Sequence, residues 1–115
     1  MPPEAPIRER RRSDRVLLRI PVTLYGLNKE NQHVTVDAET ADISRGGALI
    51  NAPSAFRLGT ILEVTSKYTK QCEKFRVIWM SEHQKHGQFE IGIEMLTPRE
   101  DFWGITFPSR SAAKL

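Results

Sequence analysis

The sequence predicts an all-β protein, a small six-stranded antiparallel β-barrel with a flexible N-terminal arginine arm and a short C-terminal helix. Short segments of alternating apolar and polar residues recur along the chain, and this period of two is typical of half-buried strands. Glycine, proline and polar turn residues separate the segments, as in barrels built from short strands. At 115 residues the chain is long enough to bury one core without a metal or a disulfide.

The predicted arm, residues 1–15, is marked by its charge. Residues 1–9 contain three prolines and no periodic apolar pattern, which indicates a mobile segment. Residues 1–19 have a net charge of +3, equal to that of the whole chain, and all of their basic side chains are arginines. A guanidinium makes paired hydrogen bonds to phosphate or to a guanine edge, so the cluster favours anion binding. A solvated basic tail is the alternative.

The first two strands follow the arm. Residues 18–25 alternate between apolar and mostly polar positions, and residues 33–38 alternate again after a polar turn. The next apolar residues, Ala41 and Ile43, are one position out of phase with this pattern. The slip predicts a β-bulge or a bend just before Asp42.

Four further strands are predicted, at residues 47–51, 61–68, 75–80 and 89–95. The last is the clearest, because every second residue from Phe89 to Met95 is a large apolar one. Residues 75–80 differ in carrying apolar side chains on both faces. With the first two, these segments make six strands.

A short helix is predicted to begin at Thr97, because Thr97 and Glu100 form a capping box and Pro98 suits the first helical position. Gly104 and Pro108 end it. Three aromatic residues in this region are expected to cover one open end of the sheet: Phe102, Trp103 and Phe107. Residues 16–108 are thus the predicted barrel domain and residues 109–115 a frayed tail.

The turn between the second and third strands combines a carboxylate, a hydroxyl and two glycines, in the order Asp42-Ile43-Ser44-Arg45-Gly46-Gly47. Glycine permits sharp turns and close approach of a ligand to the backbone. Aspartate commonly stabilises a turn through its own backbone, so each of these residues also has a purely structural interpretation. The motif gains specificity together with the arginines of the arm.

These residues resemble the PilZ domains, a family that binds the bacterial second messenger cyclic di-GMP. Its signature, an R-x-x-x-R arm followed by a D/N-x-S-x-x-G turn, is matched by Arg11-x-x-x-Arg15 and Asp42-x-Ser44-x-x-Gly47. Arg8 and Arg12 also fit the arm, but Arg15 directly precedes the first strand, as the second family arginine does. Arg10 resembles the additional arginine of an R-R-x-x-x-R variant that takes up a stacked ligand dimer. The resemblance covers residues 10–96, and the strands around Val77-Ile78-Trp79 and Gly92-Ile93-Glu94 share it.

The resemblance implies a cyclic di-GMP site formed by Arg10, Arg11, Arg12, Arg15, Asp42, Ser44, Arg45, Gly46 and Gly47. The ligand carries two phosphates and two guanines. Arginine pairs with phosphate or guanine O6/N7 and can stack on a base, whereas the Asp42 carboxylate accepts from guanine N1 and N2. Ser44 can bond phosphate or a base edge. Whether one ligand or two bind is left open.

The predicted function is that of a receptor rather than an enzyme: the arm orders on the ligand and changes a surface for an unidentified protein effector. A ligand-independent protein-interaction module with the same fold is the alternative. Binding to RNA or DNA is not expected, because no aromatic residue is interleaved with the arginines between Arg8 and Arg15.

No catalytic nucleophile, phosphate loop or metal-binding cluster is evident in the sequence, so neither a cofactor nor a metal is expected. No apolar run is long enough for a membrane helix, and no signal peptide begins the chain. The single cysteine, Cys72, excludes an intrachain disulfide. A cytoplasmic protein is therefore expected.

Overall fold

The architecture is a closed antiparallel barrel of six strands, which confirms the predicted fold class. The computed structural model describes residues 15–99, 101–105 and 107. The strands are β1 Pro21–Leu27, β2 His33–Ile43, β3 Gly47–Ala52, β4 Ile61–Ser66, β5 Cys72–Met80 and β6 Phe89–Met95. Their order around the barrel is β1-β2-β3-β6-β5-β4, so each of these six strands pairs with two neighbours, and the described part of the chain leaves no edge strand exposed.

The barrel interior is filled by the apolar residues of the alternating segments. In β1, β4 and β6 every second residue is buried, as the period of two requires. Aromatic residues that follow β6 close the end of the barrel next to the β4–β5 turn. Phe102 contacts Phe75 edge to face at a centroid distance of 5.5 Å, and Trp103 packs against both rings. This burial of apolar and aromatic surface is the main stabilising contribution to the fold.

Two strands contain bulges. The pairing of β2 with β3 shifts between Thr40 and Asp42, so the bulge predicted from the phase slip is confirmed at Ala41. The pairing of β5 with β6 shifts between Val77 and Trp79. This second bulge explains why both Ile78 and Trp79 point outward, whereas Val77 is buried.

The first strand begins later than its apolar pattern predicts. β1 starts at Pro21, and residues 17–20 run beside β2 without forming a regular strand. The backbone N–H of Ile20 donates to the side-chain Oγ1 of Thr40 instead of to a backbone carbonyl. A side-chain hydroxyl thus replaces the ladder partner that a regular strand would have used.

The predicted C-terminal helix is not confirmed. The described residues of this segment form turns, with Phe102 N–H donating to Arg99 O and Gly104 N–H donating to Asp101 O. Gly104 has a φ of +76°, which ends helical geometry and is tolerated by glycine. Glu100, on which the capping box depends, lies outside the described residues, as do residues 1–14 of the predicted arm and residues 109–115 of the predicted tail. In the part of the chain that is described, no helix has the length and apolarity to cross a membrane.

Candidate functional site

A groove of about 660 Å³ crosses the outer surface of β2, β3, β6 and β5, and we call it the outer groove. Strand register creates it: Asp42 pairs with Leu49, Leu49 with Gly92, and Gly92 with Trp79, so these four residues form one row across the sheet. Among the described residues, the groove is lined by Arg15, Asp42, Ser44, Gly46, Ala48, Leu49, Ile78, Trp79, Glu90, Gly92, Ile93 and Glu94. Four of the nine residues predicted for the ligand site are among them.

The centre of the groove lacks a side chain. Gly92 lies between Leu49 and Trp79 in the row, and a Cβ on Gly92 would lie 3.2 Å from Cβ of Trp79. Trp79 and Ile78 form the wall on the β5 side, where the bulge turns both outward with exposed fractions of 48% and 45%. A half-exposed indole beside a concave surface is available to stack on a planar ligand.

Arg15 and Asp42 meet inside the outer groove although 26 other residues separate them in the sequence. The distance from Arg15 Nε to Asp42 Oδ1 is 3.6 Å, and the Asp42 side chain is only 11% exposed against 36% for Arg15. Two backbone hydrogen bonds between Val16 and Ile43, of 2.8 and 2.9 Å, hold the chain next to Arg15 against the end of β2. The two halves of the predicted site are therefore brought together by an antiparallel bridge.

Ser44 and Gly46 form the tight turn at the end of the groove. Ser44 N–H donates to Gly47 O at 2.9 Å, and its hydroxyl also donates to Gly47 O at 3.3 Å. Gly46 O accepts from Met95 N–H at 2.8 Å, which ties the turn to the end of β6. No atom beyond its chain neighbours lies within 4 Å of a Cβ placed on Gly46, so its surface faces open space.

Gly47 and Arg45 do not line the groove. A Cβ on Gly47 would lie 2.3 Å from the carbonyl oxygen of Ile93, so close packing of β3 on β6 explains this glycine. The guanidinium carbon of Arg45 lies 5.7 Å from the ring centroid of Phe107, a cation–π distance. Arg10, Arg11 and Arg12 lie outside the described residues.

Sequence reasoning missed the β5 and β6 side of the groove. Trp79 had a signal, since its strand carries apolar residues on both faces, but the outward direction of its side chain depends on the bulge at Ile78. No signal in the sequence pointed to Glu90 or Glu94, because acidic residues are common on the outer face of a strand and do not by themselves indicate a site. With Asp42 they give the described lining three carboxylates against one guanidinium, that of Arg15, although Arg76 lies 3.9 Å from Glu94 and offsets part of this negative charge. An anionic ligand therefore needs further positive charge from elsewhere.

Comparison with known protein families matches residues 9–102 to the PilZ domain. This range contains both the arginine cluster and the turn motif, and it includes all six strands. No curated protein matches the chain. Within the described ranges, no group of three or more His, Cys, Asp or Glu side chains is placed to hold a metal ion. Because the match extends over most of its length, the chain belongs to the PilZ domain family.

Proposed function

We propose that this protein is a non-catalytic receptor that binds cyclic di-GMP in the outer groove. PilZ domains are generally known for binding this ligand. The observation that supports the proposal best is the meeting of Arg15 and Asp42 beside Ser44 in one concave surface. These are the residue types that a guanine nucleotide requires, and they come from distant parts of the chain.

The chemistry of these groups fits the two parts of the ligand. The Arg15 guanidinium can donate in parallel to phosphate oxygens or to guanine O6 and N7. The Asp42 carboxylate is suited to accept from guanine N1 and N2, and the exposed face of Trp79 to stack on a purine ring. The 3.6 Å separation of Arg15 and Asp42 is longer than a direct hydrogen bond, so ligand groups can compete for both side chains.

Charge explains why the arm belongs to the proposed site. The described lining is acidic, whereas cyclic di-GMP carries two negative phosphates. In this proposal the arginines at positions 10, 11 and 12 supply the positive charge that the described lining of the groove lacks. We infer that the arm closes over the bound ligand and changes a surface that a protein effector reads. Ordering such a segment costs conformational entropy, and charge-assisted contacts must exceed this cost.

Calorimetric titration with cyclic di-GMP tests the proposal, with GMP and GTP as competitors that share its base. We expect selective binding with a dissociation constant in the micromolar range or below. Arg15→Ala and Asp42→Ala should each weaken it at least about tenfold, the loss expected for one charged hydrogen-bonded contact.

The matched controls are Lys67→Ala and Asp37→Ala, which remove another ion pair, of 2.9 Å, on a different face of the barrel. They should leave the affinity unchanged. If the folded protein takes up no ligand, the receptor proposal is wrong and the barrel is a protein-interaction module. If all four variants bind equally, the ligand lies outside the outer groove.

A further inference from the structure

Thr40 makes three hydrogen bonds to the segment before β1, and it is fully buried. Its hydroxyl donates to Leu18 O at 2.5 Å and accepts from Ile20 N–H at 2.7 Å. Its backbone N–H donates to Ile20 O at 3.0 Å. One threonine thus satisfies the carbonyl of Leu18 and both backbone groups of Ile20 where no regular strand pairing exists. Buried backbone groups require such partners.

The position of Thr40 matters because of the bulge that follows it. On one side of Ala41, Thr40 holds Leu18 and Ile20; on the other side, Ile43 holds Val16 through two backbone hydrogen bonds. The segment 16–20 is therefore attached to β2 at two points that flank the bulge. Asp42 lies between these two points and contacts Arg15 just beyond the second.

Ile20, which is buried in the core, and Val16, which packs against the core, anchor the two ends of this segment, but apolar packing is not directional and does not by itself set a hydrogen-bond register. The Leu17 side chain is 83% exposed and that of Leu18 is more than one-third exposed, so neither anchors the chain. A slide of one residue would bring another side chain to the place of Arg15. The directional hydrogen bonds of Thr40 oppose that slide, because a shifted chain would leave its hydroxyl and the Ile20 N–H unpaired.

We propose that Thr40 is a positioning residue for the ligand site. Its hydroxyl sets the register of residues 16–20 on β2 and thereby places Arg15 against Asp42. Thr40 does not line the outer groove, so it acts on the site through the segment that follows Arg15. The inference rests on the proposed cyclic di-GMP function for its effect on affinity, but its structural part has a test that needs no ligand.

The test compares three variants. Thr40→Val keeps the shape of the side chain and removes the hydroxyl, whereas Thr40→Ser keeps the hydroxyl. Thr35→Val makes the same chemical change at an exposed position of the same strand, where Thr35 pairs with Tyr25. All three should remain folded, as judged by circular dichroism.

The first measurement is amide hydrogen exchange of the ligand-free protein by NMR. In Thr40→Val we expect the Val16 and Ile43 amides to exchange at least about tenfold faster, since they depend on the held segment. The Leu24 and Val64 amides in the paired strands β1 and β4 serve as the internal reference and should change less. A uniform acceleration of all four amides would make Thr40 a residue of global stability only and would overturn the proposal.

The second measurement is calorimetric affinity for cyclic di-GMP. Thr40→Val should bind about tenfold more weakly, while Thr40→Ser and Thr35→Val stay within about threefold of the unaltered protein. Unchanged Val16 exchange together with unchanged affinity in Thr40→Val would refute the positioning role. If the unaltered protein binds no ligand, the proposed function fails, and the exchange of Val16 still decides whether Thr40 holds the segment.

Discussion

Replacing Gly47 by alanine should destabilise the barrel, whereas the same change at the neighbouring Gly46 should not. Gly47 pairs with Glu94 of β6, and a Cβ there would lie 2.3 Å from the carbonyl oxygen of Ile93. Real Cβ atoms essentially never come within 3.0 Å of another heavy atom, and this oxygen belongs to the rigid strand backbone. Strand β6 would have to move by about 1 Å to restore a normal contact.

The magnitude follows from two opposing effects. Forcing an extra methyl group into a packed interface costs about 1 to 3 kcal/mol. Replacing glycine by alanine also removes freedom from the unfolded chain, which stabilises by about 0.4 to 1 kcal/mol where the backbone tolerates it. Neither Gly46 nor Gly47 has a positive φ, so an alanine at either position gains the entropic stabilisation. Only an alanine at Gly47 would also clash with the carbonyl oxygen of Ile93. We expect Gly47→Ala to lose about 1 to 2 kcal/mol and Gly46→Ala to lose nothing.

Urea unfolding followed by circular dichroism and by tryptophan fluorescence, to which the buried Trp103 and the half-exposed Trp79 both contribute, measures both variants against the unaltered protein. For a domain of this size, about 2 kcal/mol corresponds to a drop in Tm of about 8 °C. The reasoning is refuted if Gly47→Ala lies within about 0.5 kcal/mol of the unaltered protein. It is equally refuted if both variants lose the same stability, because the clash exists at Gly47 alone.

Two further predictions concern exposed side chains. Trp79→Ala should change the free energy of unfolding by less than about 1 kcal/mol, because the ring is half exposed. The same change should lower the affinity for cyclic di-GMP about tenfold or more, because a stacking surface is lost. Tyr68→Ala, which removes another exposed aromatic ring outside the outer groove, should leave calorimetric affinity unchanged; equal effects would contradict a stacking role. The hydrogen bond from Lys67, together with its charge, lowers the pKa of the Asp37 carboxyl, so Lys67→Met should raise that pKa in an NMR titration. Because the pKa of Asp37 is lower in the folded protein, the ion pair stabilises the protein at pH values above the ordinary aspartate pKa, and this stabilisation is lost as the pH falls through the lowered pKa. An Asp37 pKa that is unchanged in Lys67→Met would contradict this assignment.

The alternating segments made the barrel predictable. Each strand has one face in the core, so the sequence of β6 shows its orientation directly. The bulge at Ala41 was predictable for the same reason, since an inserted residue shifts the phase of the pattern. The start of β1 was not, because the hydroxyl of Thr40, 20 residues away from Ile20, replaces a backbone partner.

Part of the candidate site was likewise predictable from the sequence, and part was not. The motif spacing brought Arg15, Asp42, Ser44 and Gly46 to attention, and the structure places these four in the outer groove. The same spacing did not distinguish Gly47, which packs against β6, from Gly46, which faces open space. The bulge at Ile78 turns Trp79 outward, and a segment with apolar residues on both faces does not reveal where a bulge lies.

The sequence by itself determined the all-β class, the number of strands and the residues of the turn motif, because these depend on local periodicity and local turn chemistry. Only the tertiary structure decided that Arg15 meets Asp42, that Trp79 and Gly92 complete the groove, and that Thr40 holds the segment before β1. These contacts join residues far apart in the chain, and strand register and two bulges set them. Register is a property of paired strands, and no single segment carries it.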